Sequence, residues 1–234
     1  MRLPATRPAR FLARPNRFVV EAEVEGRAVR AYCANPGRLR ELLVPGTPLR
    51  VRRRAAPAPR PGVAPPTTTH DAVLARDGRT WVGLDTRLAS GLFAEGAAAG
   101  RLPGFRGRLE AEVPVGRSRL DFRLHGRWPA LVEVKCASLV VDGVARFPDA
   151  PSERATRHAR VLASHARRGN RASLVFIIVR PDAEAFAPLE DVDPHFAAAL
   201  RRAHRAGVEV RAFRCATTPR EVRVQDEVPV HLGT

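Results

Sequence analysis

The 234-residue chain is 44% apolar and 27% charged, the balance of a globular protein, and no run approaches the roughly 20 apolar residues of a membrane-spanning helix. Forty Lys plus Arg against 24 Asp plus Glu leave a formal charge of +16, the balance of a protein that binds polyanions. Cys33, Cys136 and Cys215 lie far apart and form no CxxC pair, which excludes a disulfide framework or zinc finger, and the basic N-terminus lacks the apolar core of a signal peptide, so a cytoplasmic location is expected.

In chain order, Phe18–Val24 and Ala28–Cys33 flank Glu25-Gly26 and predict a hairpin. Asn35-Pro36-Gly37 is a turn signal, Leu39–Val44 a short apolar stretch, and Leu49–Arg54 a basic strand. Ala55–Pro66, rich in Pro and Ala, predicts a loop. A second hairpin, Ala72–Ala75 and Thr80–Leu84 around Asp77-Gly78, brings the count to about five strands. A small OB-like β-barrel over residues 1–84 is therefore expected, with an open face that suits nucleic acid.

Arg87–Ala99 is the next helix candidate, with Asp85 or Thr86 as cap and Gly100 at its end. Leu109–Val115, Ser118–His125 and Ala130–Leu139 predict three successive strands of an antiparallel meander. Ser152–Arg168, closed by Gly169, predicts a helix whose apolar face is Ala155, Ala159, Leu162 and Ala166. The apolar run Leu174–Val179 predicts a buried parallel strand. A further helix with Asp193 as cap and Pro194 at its first position, then the strand Val208–Arg214, complete an αβββαβ domain with an appended helix and strand over residues 85–234.

One basic residue stands apart: Lys135 is the only lysine, so the other 39 cations are arginines. Arginine replaces lysine wherever positive charge suffices, and position 135 is then a place for a compact ammonium on a flexible stem. In the strand Ser118–His125, Leu120, Phe122 and Leu124 share one face, which puts Asp121 on the other. Glu133 and Lys135 alternate with Val132 and Val134 in the same way, about 6.6 Å apart along the strand. Hairpin pairing lets Asp121 meet them. A carboxylate from each of two neighbouring strands can hold Mg²⁺ or Mn²⁺, and an ammonium beside the metal can orient the attacking water of phosphodiester hydrolysis.

Arg50, Arg52, Arg53, Arg54 and Arg60 form the densest cationic stretch and are expected to track a DNA backbone through phosphate contacts. Few aromatics interleave with them, so base stacking draws little support. Arg154, Arg157, His158, Val161 and His165 recur at spacings of three and four. They form either a phosphate-facing side of the helix, with Arg154 and Arg157 as DNA contacts, or simply its solvated side; His158 is not expected to ligate a metal.

The chain resembles the sugar fermentation stimulation protein A family over nearly its full length. The resemblance rests on Cys33-Ala34-Asn35-Pro36-Gly37, Ser118-Arg119-Leu120-Asp121-Phe122, Glu133-Val134-Lys135, Phe147-Pro148-Asp149-Ala150, Ser152-Glu153-Arg154 and Arg157-His158. It implies a mixed α/β chain in which the OB-like barrel precedes a PD-(D/E)xK restriction-endonuclease-like domain, and DNA binding with little sequence preference. It also implies Glu112 as a further acid beside the metal, the alternative being an exposed strand carboxylate. The expected function is a DNA-binding protein with a metal-dependent nuclease site of Asp121, Glu133 and Lys135. The alternative is a non-catalytic DNA-binding regulator of sugar metabolism on the same scaffold. RNA and a second copy of the chain stay open as partners; a membrane does not.

Overall fold

The computed structural model describes residues 1–55 and 67–233, so the predicted Ala55–Pro66 loop, apart from its first residue, lies outside the described residues together with Arg60. The chain forms two compact units. One comprises Arg2–Thr86 with Thr217–Val222, the other Arg87–Ala216 with Met1 and Arg223–Thr234. A single cut at residue 84 misses the return of the chain: Arg2 bridges to Glu221, and the Leu3 amide donates to the Arg220 carbonyl at 2.8 Å.

The first unit contains β1 (Arg7–Asn16), β2 (Val19–Val24), β3 (Arg27–Tyr32), β4 (Pro48–Arg53), β5 (His70–Asp77) and β6 (Thr80–Gly83). β1 pairs with β2 and β4, β2 with β3, β4 with β5, and a parallel pairing of β3 with β5 closes a five-stranded barrel. This is the expected OB-like barrel. Alternation fills it: in β2, Val20, Ala22 and Val24 are buried, while Glu21 and Glu23 lie between them. Glu25 (φ 52) and Gly26 (φ 74) turn β2 into β3, the paired positive φ of a tight hairpin turn, as the sequence predicts.

The membership of the barrel differs from expectation. β6 pairs only with β5, and the fifth barrel strand is β1, which the sequence reading passes over. Pro8 and Pro15 disguise it, although Ala9 and Phe11 alternate inward. Register shifts after Phe11 and Ala13 accommodate its irregular pattern.

The second unit contains α1 (Leu88–Ala98), β7 (Arg108–Val115), β8 (Ser118–His125), β9 (Ala130–Ala137), β10 (Leu139–Val141), β11 (Val144–Phe147), α2 (Glu153–Ala166), β12 (Arg171–Ile178), β13 (Ala185–Pro188), α3 (Pro194–Arg205), β14 (Glu209–Thr217) and β15 (Val222–Val228). Its main sheet runs β15-β14-β12-β9-β8-β7. β7, β8 and β9 are the predicted antiparallel meander, and β12 lies parallel to β9 after the helical crossover of α2. Ala155, Ala159 and Leu162 of α2 and Phe196, Ala199 and Leu200 of α3 pack into one core with Leu174, Phe176 and Ile178 of β12.

Ser152 caps α2, its Oγ accepting from the Ala155 amide, and Asp193 caps α3 with Pro194 in the first turn, the latter as predicted. Neither Asp85 nor Thr86 caps α1: Arg87 is its N-cap residue, no side chain caps the helix, and the Thr86 hydroxyl donates to the Ala34 carbonyl instead. The predicted strand Ala130–Leu139 breaks after Ala137, and β10 and β11 form a hairpin at Asp142 (φ 49) and Gly143 (φ 75). That Asp-Gly pair between Val140-Val141 and Val144-Ala145 is a hairpin signal the sequence reading overlooks. With β13 these strands make a second, three-stranded sheet.

Candidate active site

The antiparallel ladder of β8 and β9 pairs Leu124 with Ala130, Arg123 with Leu131 and Phe122 with Val132. One step further the same register sets Asp121 opposite Glu133, and there side chains replace the main-chain ladder. The Val134 amide donates to Asp121 Oδ2 at 2.8 Å, and the Asp121 amide donates to Glu133 Oε2 at 3.3 Å. Each strand thus holds the other's carboxylate through a backbone N–H. The predicted meeting of Asp121 and Glu133 is what the geometry shows, and its cause is the register.

Glu133 is 1% exposed, so its charge has to be matched by partners close at hand. Lys135 Nζ donates to Glu133 Oε1, and His158 Nδ1 of α2 lies 2.5 Å from the same oxygen, a hydrogen bond in which the imidazole donates to the carboxylate. Burial alone raises the Glu133 pKa, but the His158 hydrogen bond and the Lys135 ammonium outweigh it, and the carboxyl titrates below its ordinary range. Asp121 goes the other way: burial and then the neighbouring Glu133 charge raise it, against the Val134 amide, Lys135 and Ser90. Ser90 of α1 donates its hydroxyl to Asp121 Oδ1 at 3.3 Å.

Sequence reasoning misses Ser90 and sets His158 aside. For His158 a signal exists: it falls between Ala155 and Leu162 on the apolar stripe of α2 and is 1% exposed, so it belongs neither to a solvated nor to a phosphate-facing side. Nothing in the sequence marks Ser90.

Glu112 is a correction. Its register on β7 places it opposite Asp121, in one row with Glu133. However, its backbone is left-handed (φ 57), its side chain is 71% exposed, and its carboxylate pairs with Arg119 at 3.3 Å. It has turned to solvent, the alternative weighed for it. Among the described residues no three His, Cys, Asp or Glu side chains form a group that could hold a metal. Burial pushes the Cys33 thiol up to about 11 and that of Cys215 up to about 12, which makes both poor nucleophiles at neutral pH.

The predicted DNA-contacting arginines lie in two groups. Arg154 and Arg157 are exposed on α2, within one turn of His158. On β4 and just after it, Arg53 is exposed, and Arg52 grips Asp71 through Nε and Nη2. Arg54 bonds Thr68 Oγ1 at 3.0 Å, and Arg50 is half-buried with its Nε lacking a hydrogen-bond partner among the described residues.

Two facing carboxylates store unfavourable charge in the folded state, which gives a stability prediction. Because Asp121 is raised above the ordinary 3.8, its contribution to stability is complete below that value and is lost as pH rises through the folded pKa. Asp121→Asn keeps an oxygen for the Val134 amide and has no such loss. In chelator the variant is expected to melt above the parent at neutral pH, with the gap closing as pH falls towards 4; thermal melts across that range check it, and a variant that melts lower at pH 7 contradicts it.

Two family models cover the chain. The "Sugar fermentation stimulation protein RE domain" matches residues 87–221 and the "SfsA N-terminal OB domain" residues 7–84. The chain is 48% identical over 228 residues to the sugar fermentation stimulation protein homolog of Moorella thermoacetica, covering 96% of each. It is 44% identical to the homolog of Chloroflexus aurantiacus, covering 95% of this chain and 84% of that one. Among solved structures, that described as Pyrococcus furiosus SfsA in complex with Ca²⁺ superposes with a TM-score of 0.88 at 33% identity, over 99% of this chain and 98% of that one. The register that sets Asp121 against Glu133 and the closed barrel are thus carried by a chain that belongs to the sugar fermentation stimulation protein family.

Proposed function

We propose that this chain is a DNA-binding protein of little sequence preference that hydrolyses phosphodiester bonds with a divalent cation, Mg²⁺ or Mn²⁺, at Asp121 and Glu133, on a nuclease-like scaffold of the PD-(D/E)xK kind. The observation that carries it is the juxtaposition of a buried carboxylate, Glu133, and a half-buried one, Asp121, on neighbouring strands, with the chain's only lysine bonded to Glu133. The donor set fits the metal: Mg²⁺ takes oxygen ligands, needs only one or two carboxylates and keeps several waters, so the lack of a third ligand is no obstacle. The solved relative described as a Ca²⁺ complex, Ca²⁺ being another hard cation with oxygen ligands, supports the same choice.

When bound, the cation supplies Lewis acidity towards the phosphate and makes water more acidic. The rest is the work of side chains. Glu133 is fixed through His158, in the way that carboxylates beside metals are oriented by a second hydrogen bond. The Lys135 ammonium, 14% exposed, orients the attacking water and stabilises charge on the phosphate. The surplus of arginines holds the DNA backbone.

The test is incubation of the purified chain with plasmid, linear duplex and single-stranded DNA in Mg²⁺, Mn²⁺ or chelator. Cleavage that needs metal supports the reading, and binding without cleavage of any substrate rejects it. The second reading, a non-catalytic DNA-binding regulator, is favoured by one observation: Glu133 Oε1 is already shared by Lys135 and His158. It gains from binding without cleavage.

A further inference from the structure

We infer that the barrel carries its own site for unpaired nucleobases, built from Phe18, Tyr32 and Arg54. The inference rests on the reading of the chain as a nucleic-acid binder and goes beyond the phosphate contacts assigned above. Along the sequence these residues are far apart, which is why the scarcity of aromatics among the arginines argues against base stacking. The fold reverses that argument.

Val19 pairs with Tyr32 in the β2–β3 ladder, and the Cys33 amide donates to the Phe18 carbonyl at 2.9 Å, so the turn between β1 and β2 brings Phe18 beside Tyr32. Ala31 and Cys33 are buried, so alternation directs Tyr32 away from the barrel core. The two rings have centroids 6.3 Å apart and planes 23° apart, a stacked pair. Arg54 places its guanidinium carbon 5.6 Å from the Tyr32 ring centroid, within cation–π range.

Asp71 organises the cations. In register with Tyr32 across β3–β5 and with Arg52 across β4–β5, it accepts from Arg52 and lies 3.6 Å from Arg54 Nε. Thr68 holds Arg54 Nη1 at 3.0 Å. Arg54 is thereby fixed beside the aromatic pair, with Arg52 bonded to the same acid, while Phe18 stays 42% exposed. A merely solvated face has no use for an exposed phenyl ring aligned with a second ring and a held guanidinium. For a nucleobase these are a π-face to stack on and cations for the adjoining phosphate. The parts come from the turn between the first two barrel strands, from β3 and from the chain just after β4, the side on which five-stranded OB barrels meet oligonucleotides. In a duplex the bases stack on one another, so only unpaired ones can reach Phe18.

The experiment measures anisotropy of the full chain with a labelled oligothymidylate and with an abasic strand of equal length and charge, at fixed salt in chelator. Oligothymidylate is expected to bind about 5- to 100-fold more tightly than the abasic strand, the range of one base on an aromatic ring. Phe18→Ala should remove most of this advantage with abasic binding unchanged, while Tyr32→Phe, which keeps the ring, should retain it; melting curves verify the fold of both. Equal affinity of the parent chain for the two strands overturns the stacking site and leaves DNA binding standing, as does a Phe18→Ala loss shared by both strands. Failure to bind any strand or duplex overturns both.

Discussion

Replacing Lys135 with alanine is expected to lower metal-dependent cleavage by about 100- to 1000-fold, the usual cost of losing one preorganised group that faces developing charge. Affinity for DNA should hardly change, since one charge is removed from a formal +16. The fold should also survive. Lys135 is at the margin of the buried cluster, and without it Glu133 still has the His158 hydrogen bond and the Asp121 amide. The more discriminating variant is Lys135→Arg. A guanidinium retains the charge, but it is a planar fork that keeps its proton, whereas an ammonium is a compact donor with three rotatable N–H bonds. In a chain that uses arginine at every other cationic position, Lys135→Arg should lose nearly as much cleavage as Lys135→Ala. Single-turnover rates with saturating enzyme separate the chemical step from binding. Full activity in Lys135→Arg would show that charge alone is needed, and full activity in Lys135→Ala would remove the residue from the mechanism.

Binding itself should collapse with salt. Many of the acids are already matched: Arg30 with Glu21, Arg52 with Asp71, Arg171 with Glu209, Arg201 with Glu190, Arg211 with Glu227 and Arg214 with Asp226. With 40 cations for 24 acids the surplus is carried by arginine, and each phosphate it neutralises releases a condensed counterion. For about six to ten such contacts, affinity for duplex DNA falls by roughly 10³ to 10⁵ between about 50 and 200 mM salt. Arg53→Ala, at an exposed position on β4, should lower the slope of log affinity against log salt by about one. A flat response would mean that the charge serves something other than DNA.

The chemistry was more legible than the architecture around it. Asp121, Glu133 and Lys135 stood out because a strand alternates its faces and because one lysine among arginines is conspicuous. The Asp193 cap of α3 was legible for a local reason, that a short polar side chain before an amphipathic run satisfies amides that would otherwise lack partners; the Ser152 cap of α2 has the same cause and was passed over. β1 was hidden by its prolines, and the β10–β11 hairpin was readable from Asp142-Gly143 and passed over.

The sequence by itself determined the alternating strands, the caps, the surplus of positive charge and the identity of the two acids and the lysine, because each is set by residues within a few positions of one another. Only the tertiary structure decided which groups stand beside them. A buried carboxylate recruits whatever donor the fold brings within reach, and for Glu133 that is His158, 25 residues away on a crossover helix. A left-handed backbone at one residue took Glu112 out of the row its register gave it. Barrel closure set Tyr32 and Arg52 around Asp71 across strands far apart in the chain. Such contacts depend on register and closure over long loops, and no local pattern records them.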